Sequence, residues 1–234
     1  MKKYIKKNVS IDVVKQLHEK FNLSKLEASI LARRNITSSN SLLYYLEDDL
    51  RFSHIPFLLK NMEDAVERIL AAKEEGEKVL IFGDRDVDGI TSTAILYSYF
   101  KSQGMDISYR LPVGEDAYGL SIAAIDNFAK NYGSLIITVD CGISNIKEID
   151  YANSLGIDVI VTDHHNPPEV LPNALTIIDP KISDSGYPFK DISGAAVAYK
   201  LVSALRFSKY DIYNQEFCLL NVAKTENNTY KIQC

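Results

Sequence analysis

Three short apolar runs in this sequence each give way to carboxylates or imidazoles. Val79-Leu80-Ile81-Phe82 runs into Gly83-Asp84-Arg85-Asp86-Val87-Asp88-Gly89, Leu135 to Val139 into Asp140-Cys141-Gly142, and Val159-Ile160-Val161-Thr162 into Asp163-His164-His165. In an extended segment Asp84, Asp86 and Asp88 point the same way. Carboxylates converging there repel one another unless cations neutralise them. Oxygen donors joined by one or two imidazoles suit Mn²⁺ or Mg²⁺ better than zinc, which prefers a closed sulfur or nitrogen shell. Two such ions about 4 Å apart can activate a water and stabilise both the attacking and leaving oxygens of a phosphoryl displacement.

Each cluster also has a plainer reading. An Asp after a strand often caps the next helix, which would account for Asp88 or Asp140 taken singly. The Asp84 to Asp88 run has the spacing of a calcium loop, but Ile95 stands where that loop needs a Glu. His18 and His54 lie outside the clusters and read as packing or surface residues. Three clusters at successive strand ends are what single out a metal site.

The elements that must position these residues follow from periodicity. The apolar runs show no polar alternation, as expected of strands buried on both faces of a parallel sheet. Helices are expected over Thr91 to Gln103, closed by Gly104, Ile122 to Asn131, Ile146 to Leu155, closed by Gly156, and Gly194 to Leu205. Strand, helix, strand in this order predicts a doubly wound, mainly parallel α/β domain over 61–210, with its ligands beyond the carboxyl ends of the strands. Residues 1–60 read as a small region of short helices. Ser24 and Glu27 form a capping box, Ser39 or Ser41 starts a second helix through Leu46, and a third begins near Asn61 and runs to Gly76. Residues 211–234 read as a C-terminal β-hairpin, with strands over 217–222 and 229–234.

Composition is compatible with this plan. The chain has 234 residues, 46% of them hydrophobic and 24% charged, which excludes a disordered or collagen-like chain. Its net charge of −5 argues against indiscriminate nucleic-acid binding, but the charge is uneven. Residues 1–34 carry nine Lys or Arg against three acidic residues, a net +6 that leaves −11 for the rest. An acidic body with a basic leader suits an enzyme whose carboxylates hold cations while a separate patch attracts phosphates; the alternative is a solvated helical face. No apolar run approaches the roughly 18 residues of a membrane span, and the first residues lack the apolar stretch of a secretory signal. Cys141, Cys218 and Cys234 form no CxxC pair, and reduced thiols in a cytoplasmic protein are expected.

The stretches GDRDVDGITSTA, TVDCG, VTDHH and ISGAAVAYKL resemble the successive motifs of the DHH phosphoesterase superfamily. Within it the chain most resembles the RecJ-type single-strand-specific 5′-to-3′ exonucleases, on the helical leader, NMEDAVERILAAKEEGEKVLIFGD, RLPVGEDAYGLS, DHHNPPEVLPNALTIIDPK and YPFKDISG. The resemblance covers about residues 25–207. It implies a Mn²⁺- or Mg²⁺-dependent phosphodiesterase, with two ions in the complete site and low activity expected of this chain by itself, acting on single-stranded DNA in repair and recombination. Asp84, Asp86 and Asp88 would supply metal ligands, Asp140 would bridge the ions and His164 would bind one of them. Asp163 and His165 would lie just outside the ligands or touch the phosphate. Arg110, Tyr118 and Gly119 fall where related enzymes handle substrate. The amides of Ser193, Gly194 and Ala195, opening a helix, would cradle a phosphate, unless the small residues there serve close packing. A single-strand-binding protein or a helicase is the implied protein partner, and no membrane.

The sequence departs from that pattern at three places. Arg85 stands where RecJ-like sequences usually carry an aromatic residue, and is either inconsequential or a phosphate contact. A fourth metal motif, an Asp some sixty residues past the Asp-His-His stretch, is replaced by Leu220-Asn-Val-Ala-Lys-Thr-Glu. The Gly- and His-rich substrate-binding domain that normally comes next is absent, so the chain reads as the N-terminal catalytic portion of a longer protein. Two other functions stay open on the residues: a phosphoesterase for cyclic dinucleotides or short oligonucleotides, and a non-catalytic RecJ-like scaffold.

Overall fold

In the computed structural model, which describes residues 7–47, 53–114, 116–215, 221–224 and 230–233, the apolar runs become the centre of a parallel sheet. β1 (Lys78–Gly83), β3 (Leu135–Val139) and β4 (Asp158–Thr162) lie side by side, and their apolar side chains are buried on both faces. Val79 and Ile81 join one core cluster while Leu80 and Phe82 join the other, as the two-residue repeat of a strand requires. Helices α4 (Met62–Glu74), α5 (Val87–Ser102) and α8 (Gly194–Phe207) cover the first face. Helices α6 (Ile122–Lys130) and α7 (Ile146–Ser154) cover the second. Burying each large aliphatic side chain in these clusters contributes about 1.5–3 kcal/mol of transfer free energy.

Two strands escape the sequence reading. β2 (Asp106–Arg110) and β5 (Thr176–Ile178) are the edges of a sheet ordered β2-β1-β3-β4-β5, with every neighbouring pair parallel. β2 carries polar residues because its outer side has no neighbour among the described residues, and β5 is only three residues long. The order reverses between β1 and β3, so the crevice of a doubly wound sheet opens at their carboxyl ends.

Helix α5 begins at Val87, four residues before the expected start, because the Asp86 side chain accepts the Gly89 N–H at 2.9 Å and caps it. This corrects the expectation that Asp84, Asp86 and Asp88 alternate along an extended segment. Asp86 is the cap and Asp88 already lies in the first helical turn.

Contact density divides the chain into two units, 1–54 and 55–234. The second unit starts before the expected boundary at 61, because Leu59 is buried in the α/β core and the Lys60 N–H bonds to Ser185 O at 2.8 Å. Within the first unit, α1 (Ile11–Phe21), α2 (Lys25–Arg33) and α3 (Ser39–Leu46) enclose Leu17, Ala28, Leu31, Ala32 and Leu42. Both arms of the Ser24–Glu27 capping box are present. Helix α3 starts at Ser39, one of the two expected starts, and Ser38 caps it. Lys7 of the basic leader donates to Arg33 O and Asn35 Oδ1, while Lys2, Lys3 and Lys6 lie outside the described residues.

At the other end of the chain, β6 (Asn221–Lys224) pairs antiparallel with β7 (Tyr230–Gln233). Of the expected first strand over 217–222, residues 221 and 222 lie in β6, and 217–220 lie outside the described residues.

Candidate metal centre

Because β1, β3 and β4 are parallel and in register, the residue after each one arrives at the same edge of the sheet. Asp84 follows β1, Asp140 follows β3 and Asp163 follows β4. All three are buried, at 7%, 1% and 1% exposure, which for carboxylates demands partners or cations. Asp140 also adopts a left-handed backbone (φ 58°), a conformation that costs a non-glycine residue about 1–3 kcal/mol. Two hydrogen bonds hold it there: Asp140 N–H to Thr162 O at 3.0 Å and the Tyr118 hydroxyl to Asp140 O at 3.2 Å.

Two groups of ligand atoms form around Asp140. One oxygen each from Asp84, Asp86 and Asp140 lie within 4.8 Å of one another, and so do ligand atoms of Asp140, His164 and His165. Asp140 belongs to both. Oδ1 of Asp84 is buried without a hydrogen-bond partner, and the buried Oδ1 of Asp140 has only His164 Nε2 beside it, at 3.0 Å. Burial first, then the Asp88 and Asp86 charges, push Asp140 up to about 7. An unpaired buried carboxylate oxygen is costly, and a divalent cation in each group would remove that cost. Oxygen donors with imidazole nitrogens fit Mn²⁺ or Mg²⁺.

The imidazoles are aimed by their other nitrogens. His164 Nδ1 lies 2.9 Å from Ile192 O, and a carbonyl only accepts, so Nδ1 carries the proton and Nε2 presents a lone pair. His165 Nδ1 lies 2.7 Å from Asp163 Oδ1 and 3.3 Å from the Tyr118 hydroxyl. The bond to Asp163 raises the His165 pKa. Burial alone would raise Asp163, but His165 and the amides of Ile143 and His164 hold it below the usual carboxylate range. Asp163 is thus a positioning residue, of the kind that orients a ligand imidazole. The Gly89 amide similarly keeps Asp86 low, while burial and the Asp163 charge push the Tyr118 phenol up.

Other expected site residues fall elsewhere. Asp88 is in neither ligand group: its carboxylate accepts the Gly194 and Ala195 amides, both at 2.7 Å, and its Oδ2 is 3.5 Å from His164 Nε2. The amides expected to cradle a phosphate are therefore already occupied by Asp88. Ser193 caps α8 through the Ala196 amide. A Cβ on Gly194 would come within 2.6 Å of Asp140 Oδ1, so this glycine serves close packing of α8 on the site. Gly119 has φ 81° and sits against the Asn145 side chain, which exchanges hydrogen bonds with Leu120. Arg110 ends β2 and lines a cavity of about 410 Å³ with Ser108, Asn127 and Phe128, away from both ligand groups.

Asp179 escaped the sequence reading. It follows β5, is fully buried, accepts the Lys181 amide through Oδ1 and leaves Oδ2 without a partner. Burial pushes it up to about 6. Its signal was the same as at the other three strand ends, an apolar run closing on Asp, but Thr176-Ile-Ile is too short to register as a strand.

A family model for the N-terminal domain of the DHH family matches residues 78–223, a span that takes in both ligand groups. The chain belongs to the DHH family. It is 37% identical over 195 residues to the single-stranded-DNA-specific exonuclease RecJ of Bacillus subtilis (strain 168), covering 83% of this chain and 25% of that protein. Its identity to the Escherichia coli (strain K12) RecJ is 44% over 150 residues, covering 63% and 26%. A solved exonuclease RecJ bound to manganese superposes with TM-score 0.58 at 33% identity, over 64% of this chain and 38% of that one. The RecJ of Thermus thermophilus in complex with Mn²⁺ superposes with TM-score 0.65 at 25% identity, over 86% and 28%. This DHH-family chain spans about a quarter of the length of the RecJ relatives it matches.

Proposed function

We propose that this chain is the divalent-metal-dependent phosphodiesterase core of a RecJ-type exonuclease, degrading single-stranded DNA from the 5′ end in repair and recombination. The observation that carries the reading is Asp140, whose carboxylate belongs to two adjacent ligand groups. Asp84, Asp86 and Asp140 would hold one Mn²⁺ or Mg²⁺, and Asp140, His164 and His165 would hold the second. When bound, the metal pair supplies charge neutralisation at the phosphoryl oxygens and lowers the pKa of an attacking water.

The chain's own residues perform the remaining work. Ile192 O and Asp163 fix the tautomers of His164 and His165, so neither ring reorients on binding. Tyr118 holds the strained Asp140 backbone, and its half-exposed ring offers a face to the substrate. Arg110 carries a guanidinium for which no carboxylate partner occurs among the described residues, available to a substrate phosphate. Asp88 ties α5 to the start of α8 and so braces the first motif beside the second ligand group.

We assign residues 1–54 to a basic leader region that adds affinity for the strand, 55–210 to the catalytic domain and 211–234 to a region that carries the β6–β7 hairpin. No helix among the described residues is long and apolar enough to cross a membrane. We place the protein in the cytoplasm, with a single-strand-binding protein or helicase as its partner. Calorimetry with Mn²⁺ and hydrolysis of a labelled oligothymidylate test the reading together. Two binding events and release of mononucleotides from the 5′ end are expected. A chain that binds no Mn²⁺, or binds it without recognising single strands, is not this enzyme.

A further inference from the structure

The residue between Asp84 and Asp86 makes an ion pair with neither of them. Arg85 is exposed and forms no ion pair among the described residues, although Asp84 and Asp86 flank it and Asp88 lies close behind. Its Nη1 donates instead to Gly114 O at 3.0 Å, on the loop that joins β2 to α6. A guanidinium has five N–H donors, so this single bond to a neutral carbonyl leaves most of them facing solvent.

The described residues of the loop it grips are anchored to the ends of all three strands that carry candidate ligands. Arg85 holds it at Gly114, beside the end of β1. Tyr118 ties it to Asp140 O after β3 and lies beside His165 after β4. The Val113 amide bonds to Asp116 Oδ2, and the Asn145 side chain closes the far end at Leu120. The Arg85 guanidinium is therefore held by Gly114 O on a loop whose described residues are themselves tied down. Exposed apolar residues are close to Arg85 in the chain or next to its Gly114 partner: Val87 at 80% and Val113 at 71%. A fixed cation beside exposed apolar side chains matches a polymer that alternates phosphates with sugars and bases, and does not match a free anion.

We propose that Arg85 is a substrate-positioning residue that binds a phosphodiester flanking the scissile one, so that the site selects strands over single-phosphate substrates. The inference rests on the exonuclease reading above. The scissile phosphate must sit at the ligand groups, whereas Arg85 is bonded to Gly114 O on the loop after β2. A strand that enters past the exposed Asp86 carboxylate meets like charge, and Arg85 supplies the one offsetting guanidinium of the Asp84 to Asp88 turn. Arg rather than Lys suits the position, because one edge of the fork stays on Gly114 O while the other pairs with phosphate.

The test is the salt dependence of oligothymidylate binding by the 234-residue chain, read by fluorescence anisotropy with Ca²⁺ in place of Mn²⁺. Arg85→Ala should weaken binding about tenfold and lower the magnitude of the log–log salt slope by about 0.7, one phosphate contact on a single strand. Arg85→Lys should keep the slope and recover only part of the affinity. Thymidine 5′-phosphate, with its single phosphate, should bind both variants as it binds the parent chain. An unchanged slope in Arg85→Ala, or an equal loss of thymidine 5′-phosphate binding, overturns the inference. So does a matching loss of Mn²⁺ affinity in both variants, which would make Arg85 a support of the Asp84 to Asp86 turn. If the parent chain binds no single strand, the exonuclease reading itself has failed, whereas a parent that binds and an Arg85→Ala variant that matches it sink only the role of Arg85.

Discussion

Asp140 Oδ1 and His164 Nε2 face each other at 3.0 Å, the first 2% exposed through its side chain and the second fixed as an acceptor by its Nδ1 bond to Ile192 O. Two acceptors at that distance share either a proton or a cation. The same carboxylate reaches Asp84 and Asp86 on its other side, so its charge is needed twice.

Replacing Asp140 by Asn should therefore weaken both Mn²⁺ binding events and lower hydrolysis by at least about 100-fold while leaving the fold intact. Asp184 is a control. It pairs with Lys60 at the surface, where an ion pair contributes about 0–1 kcal/mol, and Asp184→Asn should hydrolyse DNA like the parent. Calorimetry and a nuclease assay read both variants, and parental metal binding in Asp140→Asn would dismiss the shared-ligand assignment.

The raised Asp140 pKa makes stability depend on pH in a direction set by the metal. With a folded value of about 7 against an ordinary 3.8, the folded chain binds more protons than the unfolded one between those limits. Metal-free stability should then fall as pH rises through that window. Mn²⁺ competes for the same oxygen as the proton. Thermal melts should show a larger Mn²⁺-induced rise at about pH 8 than at about pH 5. Equal rises at both would mean that no proton leaves the site when the metal enters.

Asp163 acts through others. Its two oxygens accept from the amides of Ile143, His164 and His165 and from the His165 ring. In Asp163→Asn the new amide group would meet one of those donors with a donor of its own. Mn²⁺ affinity should drop about 10- to 100-fold. The His165 ring should also titrate lower, since the bond to Asp163 is what raises it. An NMR titration that leaves His165 unmoved would remove Asp163 from this role.

At the opposite end of the sheet, Arg68 makes a two-pronged bond to Glu77 and a third to Asp158, joining α4 to the starts of β1 and β4. Arg68→Ala leaves Glu77 partly buried without its cation, keeping the Ser134 hydroxyl, and should cost about 3 kcal/mol in urea denaturation. Glu77, whose pKa is lowered chiefly by Arg68, adds stability above its unfolded pKa that is lost as pH falls through the folded one. Mn²⁺ affinity should not change. A variant as stable as the parent would show that solvent screens the network.

The sequence alone determined the buried strands and the carboxylates at their ends, because a strand covered on both faces must be written without polar residues. The run Leu135 to Val139 can be little else, and the carboxylate of Asp140 after it faces the crevice. The Ser24 capping box was equally legible, since both partners lie within four residues. Only the tertiary structure decided which carboxylates do what. Asp86 and Asp88 look alike in sequence, yet one caps its own helix and the other caps α8 more than a hundred residues away. That choice depends on where α8 packs, which no local pattern records. The edges of the sheet were hidden for a related reason. β2 is half exposed and β5 is three residues long, and pairing with β1 and β4, not apolar content, makes them strands. Asp179 went unread with β5, and the carbonyl of Ile192, which aims His164, carries no side-chain signature at all.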